Sequence, residues 1–213
     1  MELNFVAGTR QSLSAVDYNA MLRYRHRVFV EHLCWRLEGA HDGIETDTFD
    51  RDDTVYVGMR LQSSGELCGH ARLLPTNRPY LLADAFPQLL PDSEPPRSVD
   101  VWEISRFAAI SWNQVAEKSL QPQQFDAWLS RELLAYCMAW GAAQSLSYYV
   151  TVSPLGIGRL LQRMGVTARR LGPTLEYDGH RIFALRLDLS PRHLSNLGVE
   201  SPTEAELAQA VRP

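Results

Sequence analysis

The stretch Thr54-Val-Tyr-Val-Gly-Met-Arg-Leu61, Gln62-Ser-Ser-Gly65, Glu66, Leu67-Cys-Gly-His-Ala-Arg-Leu-Leu74 holds two β-rich runs around a short Ser/Gly turn. A turn that short forces the runs to pair antiparallel, because parallel neighbours need a crossover of a dozen residues or more. An antiparallel hairpin argues against an all-parallel doubly wound sheet. Upstream, Leu3 to Val6 reads as a strand. Val16, Leu22, Val28 and Phe29 then fall near helical spacing behind an N-cap at Ser14 or Ser12, predicting a helix to about Leu33. Residues 38–53 read as a loop. Pro75, Pro79, Pro87, Pro91, Pro95 and Pro96 make residues 75–98 a long irregular surface segment, and Val99 to Ala108 is a third major strand. Pro122 opens a long helix with an apolar face of Phe125, Trp128, Leu129, Leu133, Tyr136 and Trp140, ended by Gly141. A buried strand follows at Leu146 to Val152, then a helix at Leu155 to Met164 and strands at Val166 to Leu171 and Arg181 to Leu187. The order β-α-β-β-β-α-β-α-β-β predicts an α/β fold, a three-layer α-β-α sandwich with a mixed sheet.

With 213 residues and 45% apolar types, the chain can bury a core without disulfide or metal staples. It reads as a single domain over residues 1–190 and a C-terminal tail at 191–213. A net charge of −4 argues against a general nucleic-acid binder. No apolar run approaches the roughly 20 residues that span a bilayer. The first residues lack a signal-peptide pattern, and three widely spaced cysteines, Cys34, Cys68 and Cys137, point to a reducing, cytoplasmic compartment. One bias is left over: of 21 basic residues only Lys118 is lysine.

Several constellations carry chemistry. Arg25 and Phe29 are four apart and share a helix face, with Trp35 just beyond. Residues 38–53 carry Glu38, Asp42, Glu45, Asp47, Asp50, Asp52 and Asp53 against Arg51, at spacings that do not make a calcium loop. Arg72 sits on the second hairpin strand, where a buried charge needs a partner, and the acidic loop is the obvious donor. In Trp102-Glu103-Ile-Ser105-Arg106-Phe107, strand parity places Glu103 and Ser105 on one face and Arg106 on the other. Ser153-Pro-Leu-Gly156-Ile-Gly158 reads first as a strand-to-helix turn. His26 and His32 are a poor helical pair and the cysteines form no C-x-x-C, so no metal site is expected.

In this order and spacing, Arg25-His-Arg-Val-Phe29…Trp35, Glu45-Thr-Asp47-Thr-Phe49-Asp50, Arg72 and Glu103-Ile-Ser105-Arg106-Phe107 closely resemble the acyl-homoserine-lactone synthases, the autoinducer synthases of bacterial quorum sensing. The resemblance implies a fold related to the N-acetyltransferases. It implies two substrates, S-adenosylmethionine and a fatty-acyl thioester on acyl carrier protein, with methylthioadenosine as by-product. No cofactor, metal, nucleic acid or membrane is implied.

On that resemblance, Glu103 is the candidate general base, with Ser105 and Arg106 beside it and backbone N–H groups near Ser105–Phe107 and Tyr149–Thr151 as oxyanion donors. Arg25, Phe29, Trp35, Asp47, Asp50, Arg72 and Phe107 are substrate-binding candidates. Either Arg25 or Arg106 could take the methionyl carboxylate. The acyl chain is expected against the 122–141 helix, near Trp128, Leu129, Leu133 and Met138. Val150, read as the position where this family carries a Thr for 3-oxo chains, implies an unsubstituted chain. Arg159 and Arg163, one turn apart, are the candidate carrier-docking patch. The rival reading is an acyl-CoA-dependent N-acyltransferase of the same fold, against which Ser153 stands at the start of the loop that would grip a pyrophosphate.

Overall fold

The computed structural model describes residues 2–112 and 126–199, which gather into two compact units: residues 2–73 with 106–112 and 126–133, and residues 74–105 with 134–199.

In the first unit, β1 (Leu3–Gly8) pairs antiparallel with β4 (Val55–Leu61), and β4 with β5 (Leu67–Pro75), giving the expected hairpin. Helix α1 (Ala15–Arg25) starts where Ser14 accepts the Asp17 N–H at 3.0 Å. It does not run on to Leu33 as an α-helix. Residues His26–His32 widen into a π-helix, closed by Leu33 N–H donating to Val28 O at 2.9 Å and Trp35 N–H to Phe29 O at 2.8 Å. Tyr24, Val28, Phe29 and Tyr56 lie in the buried cluster beneath, and the Tyr24 hydroxyl donates to Ile110 O and accepts its N–H.

The predicted loop at 38–53 contains a small hairpin, β2 (Ala40–His41) and β3 (Ile44–Glu45). Asp42 and Gly43 form its turn, both at positive φ, the geometry that suits a two-residue hairpin.

In the second unit, β6 (Val101–Ala109, residues 101–105 here) pairs parallel with β7 (Tyr148–Pro154). β7 pairs antiparallel with β10 (His180–Asp188), and β10 with β8 (Ala168–Arg170) and β9 (Leu175–Tyr177). The sheet is therefore mixed. Asp178-Gly179, at positive φ, turns β9, a strand the sequence reading omits, into β10.

Helix α3 (Ala127–Ala143) lies against one face, where Trp140 packs edge-on to Trp102 and the Tyr149 hydroxyl donates to Cys137 O. On the opposite face, Glu103 receives the start of α2 (Leu81–Asp84), giving helices on both sides of the strands. Gly141 does not end α3. It lies inside the helix, where a Cβ would collide with the Tyr149 ring and hydroxyl. The predicted start at Pro122 and Phe125 lies outside the described residues.

Residues 75–98 are not a surface loop. Tyr80, Leu82 and Leu89 are fully buried, and α2 and a 3₁₀ turn at Pro87–Leu89 form between the prolines. Proline limits the length of each element, not the burial of its neighbours. Helix α4 (Ile157–Arg163) presents Arg159 and Arg163 to solvent. In α5 (Pro191–Asn196) and just after it, Leu194 and Leu197 are buried.

Candidate active site

Three arginines and three acids from distant points of the chain meet in the first unit. Arg25, the last residue of α1, is fully buried. Its Nε donates to Glu45 Oε2 at 2.6 Å, and Nη1 and Nη2 donate to the two oxygens of Asp50 at 2.7 and 2.9 Å. Arg72, on β5, is also fully buried and reaches Asp47 at 2.5 Å and Asp50 at 3.2 Å. Arg106, on β6, donates to both oxygens of Glu45, at 3.0 and 2.9 Å, and to Asp47 at 2.9 Å. Three cations against three anions leave the cluster near neutral, which is what lets charges sit away from water.

Local structure aims each group. The Asp47 N–H donates to Asp50 Oδ2 at 2.8 Å and Phe49 N–H to Asp47 Oδ1 at 2.8 Å, so the acidic loop is a set of interlocked turns. The π-helix brings Phe29 against Trp35, rings 5.0 Å apart, with the Arg106 guanidinium 5.6 Å over Phe29. Arg106 itself has φ +50°, a left-handed conformation that costs a residue with a Cβ about 1–2 kcal/mol. This kink breaks the strict alternation expected along β6.

The charges behave accordingly. Burial opposes ionisation of Glu45, but Arg25 and Arg106 outweigh it and bring its pKa down to about 2. Asp50 is likewise buried yet held well below the usual carboxylate range by Arg25 and Arg72. The Tyr56 hydroxyl, pushed up by burial and by Asp50, stays protonated and donates to Asp50 at 3.1 Å. Burial, with the positive charge of Arg25, pushes His70 down to about 3, so its imidazole is neutral. His70 Nδ1 lies 3.1 Å from Arg106 O, and a carbonyl only accepts, so the proton is assigned to Nδ1.

Thus Arg25, Phe29, Trp35, Asp47, Asp50, Arg72 and Arg106 come together as a group. Glu45, quoted within the acidic motif, is the member that sequence reasoning did not assign to the site. Of the two arginines considered for a carboxylate ligand, Arg25 is sealed in and its donors face acids, whereas the Arg106 side chain retains 8% exposure. Asp47, at 20%, is the most open of the acids.

In the second unit, Glu103 is fully buried and accepts Leu81 N–H at 2.9 Å and Leu82 N–H at 2.8 Å, one on each oxygen. The parallel β6–β7 ladder ends at Glu103 opposite Val150, and Ser105, next but one along, is buried. Phe107 is half-buried. Because Tyr149 faces α3, alternation turns Val150 away from α3 and puts Thr151 and Ser153 towards it. Val150 therefore lies on the face of β7 turned away from α3. Of the expected lining residues, Leu129, Leu133 and Met138 are buried, while Trp128 is 41% exposed. Among the described residues no three His, Cys, Asp or Glu side chains are grouped to hold a metal.

Residues 10–197 match the family described as autoinducer synthase. The acyl-homoserine-lactone synthase of Acinetobacter nosocomialis is 38% identical over 187 residues, covering 88% of this chain and all of that protein. The crystal structure of TofI in a ternary complex with an inhibitor and MTA is 38% identical and superposes with a TM-score of 0.79, covering 92% of this chain and 97% of TofI. A structure described as a putative N-acetyltransferase from Lactobacillus plantarum, 18% identical, shares the fold at a TM-score of 0.57, covering 88% of this chain and 99% of that one. The fold is thus that of the N-acetyltransferases, and the chain belongs to the autoinducer synthase family. Its homologues are acyl-homoserine-lactone synthases, and the chain is an acyltransferase of that kind.

The ion cluster has a measurable signature. Glu45 contributes stability that is fully present above its ordinary value of 4.5 and is lost as pH falls towards about 2. Glu45→Gln should flatten the acid limb of a stability-against-pH curve in that window. Glu45→Ala, which leaves Arg25 and Arg106 short of a partner, should cost about 3–5 kcal/mol at neutral pH. Denaturant titrations at pH 2–7 check both.

Proposed function

We propose that this enzyme makes an N-acyl-L-homoserine lactone from S-adenosyl-L-methionine and a fatty-acyl thioester on acyl carrier protein, releasing methylthioadenosine. The observation that supports it most is the Arg106–Glu45–Asp47 contact beside the Phe29–Trp35 pair. It offers an arginine for a carboxylate, a partly open acid for an ammonium, and aromatic faces for a sulfonium or adenine. TofI, a relative at 38% identity, holds MTA. S-adenosylmethionine is a substrate here, and no cofactor or metal takes part. Three free thiols fit work in the cytoplasm.

In this reading the substrate ammonium first loses a proton, with Glu103 as the base acting through a water. The amine attacks the thioester carbonyl, and backbone N–H groups where β6 and β7 part stabilise the oxyanion. The carrier thiol leaves. The methionyl carboxylate, positioned by Arg106, then attacks its own γ-carbon and expels methylthioadenosine; the sulfonium is already a good leaving group, so that step needs positioning above all. Arg25 and Arg72 act as the frame that holds Asp47 and Asp50.

Val150 at the position read for a 3-oxo-binding Thr implies an unsubstituted acyl chain. A second reading is favoured by Thr151, whose hydroxyl is 3.2 Å from Ser153 Oγ on the side facing α3: it offers a hydrogen bond to a 3-oxygen. Mass spectrometry of medium from a heterologous host expressing the soluble chain tests both. An N-acyl homoserine lactone is expected, its 3-substitution chooses between the chain types, and no lactone at all overturns the function.

Glu103→Gln should lower kcat by about 10² to 10⁴ if Glu103 is the base. Gln would also set an amide N–H against one of the two α2 donors, so the melting temperature is read alongside. A loss of stability with near-normal kcat makes Glu103 the anchor of α2 and not the base.

Arg159→Glu with Arg163→Glu should raise KM for acyl carrier protein and leave KM for S-adenosylmethionine unchanged. Equal use of acyl-CoA by the wild type and no response to charge reversal would favour the acyl-CoA-dependent N-acyltransferase reading.

A further inference from the structure

His70 has no place in the chemistry above, yet it is a fully buried imidazole beside the ion cluster, in the same unit. Its Nδ1–H donates to the carbonyl of Arg106 at 3.1 Å, while Nε2 is buried with no hydrogen-bond partner among the described residues. Its ring lies 6.4 Å from that of Tyr56, whose hydroxyl holds Asp50. The hydrogen bond this dry imidazole makes is the one through Nδ1.

That nitrogen meets the one residue of β6 with a left-handed backbone. At φ +50° the strand is turned out of line at Arg106, and its carbonyl needs a donor where it points. The same turn delivers the Arg106 guanidinium to Glu45 and Asp47. A regular β conformation would send that side chain to the other side of the strand.

We propose that His70 is a positioning residue: a neutral imidazole whose Nδ1–H holds the Arg106 backbone in its kink and so aims the guanidinium at Glu45, Asp47 and the substrate. The substrate part rests on the function proposed above, and the aiming of Arg106 does not. Nothing is transferred to or from His70, and its role is to supply one directional N–H from a rigid ring. Neutrality fits the setting, because burial opposes a proton on Nε2 and the charges of Arg25 and Arg72 oppose it further.

Asn and Gln separate this role from mere filling of space, since an Asn amide N–H can stand where Nδ1–H stands and a Gln amide reaches to the Nε2 position. His70→Asn, His70→Gln and His70→Leu are compared by melting temperature, by steady-state kinetics in each substrate and by the arginine Nε–H resonances. The Arg106 signal is identified as the one lost in Arg106→Lys. His70→Asn should keep the Arg106 resonance and stay within about threefold of wild-type kcat/KM for S-adenosylmethionine. Folded His70→Gln and His70→Leu should shift or lose the resonance and fall about tenfold or more, with KM for the acyl donor changing less than threefold. Wild-type Arg106 behaviour in a folded His70→Leu, or Asn no better than Gln, overturns the proposal. If Leu or Gln does not fold, ¹⁵N-labelled histidine in the wild type decides: a protonated Nδ1 with a bare Nε2 supports the proposal, and the other tautomer or a charged ring overturns it. Should the wild type make no lactone, the function fails while the resonance and tautomer readouts still judge His70.

Discussion

The contact on which the first unit depends is Glu45 between Arg25 and Arg106. One buried carboxylate receives Nε of Arg25 from the end of α1 and both Nε and Nη2 of Arg106 from β6. Neither guanidinium could be removed from water alone, and each is matched again, Arg25 by Asp50 and Arg106 by Asp47. Arg72 then ties Asp47 to Asp50. The result is a chain of alternating charges in which every link is directional. Displacing one element therefore strands a charge in a dry place, a penalty that fixes α1, the β2–β3 hairpin, the acidic loop, β5 and β6 at once.

Two irregularities of backbone in that unit belong to this arrangement. The π-helix at His26–His32 widens the chain just after Arg25, so that Phe29 and Trp35 meet and Phe29 lies under Arg106. The left-handed Arg106 does the same for a strand, re-aiming one side chain without ending the element. A regular helix and a regular strand would have been cheaper locally. They would also have pointed Phe29 and Arg106 elsewhere, so the strain is tied to what the side chains must reach.

What could be read in the sequence and what could not divides along the same line. The Ser14 cap and the hairpin at 54–74 are local: a hydroxyl next to a helix start and a short turn between β-rich runs need no knowledge of the rest. The motif residues Arg25, Asp47, Asp50, Arg72 and Arg106 were legible as a set by resemblance, and the structure groups them. Glu45 stands in the same motif but received no role, because seven acids in one loop look alike and burial chooses among them. The available signal was Asp42-Gly43, a two-residue hairpin turn that places Ile44 and Glu45 on a paired strand. It was masked because the flanking strands are only two residues long. Proline density likewise hid the burial of Tyr80, Leu82 and Leu89. Counting back from Ser153 chose Val150, where only the Tyr149–Cys137 contact shows which parity faces α3.

The arginine bias acquires a partial physical reason. Arg25 makes bonds through Nε, Nη1 and Nη2 to two carboxylates held at a fixed angle, and Arg106 makes three through Nε and Nη2. A lysine ammonium carries three donors on one rotating atom and could not span both acids from the same position. Lysine at either place would leave carboxylate oxygens buried without a partner. The exposed Arg159, Arg163, Arg169 and Arg181 show no such constraint among the described residues, whereas Arg170 donates from Nε to Gly172 O and from Nη2 to Thr174 Oγ1. Net charge merges the two populations. The acidic loop that dominates the sequence is neutralised where Glu45, Asp47 and Asp50 meet Arg25, Arg72 and Arg106, so under the proposed function a cationic substrate is met by the partly open Asp47 and the aromatic faces beside it, not by a general negative field.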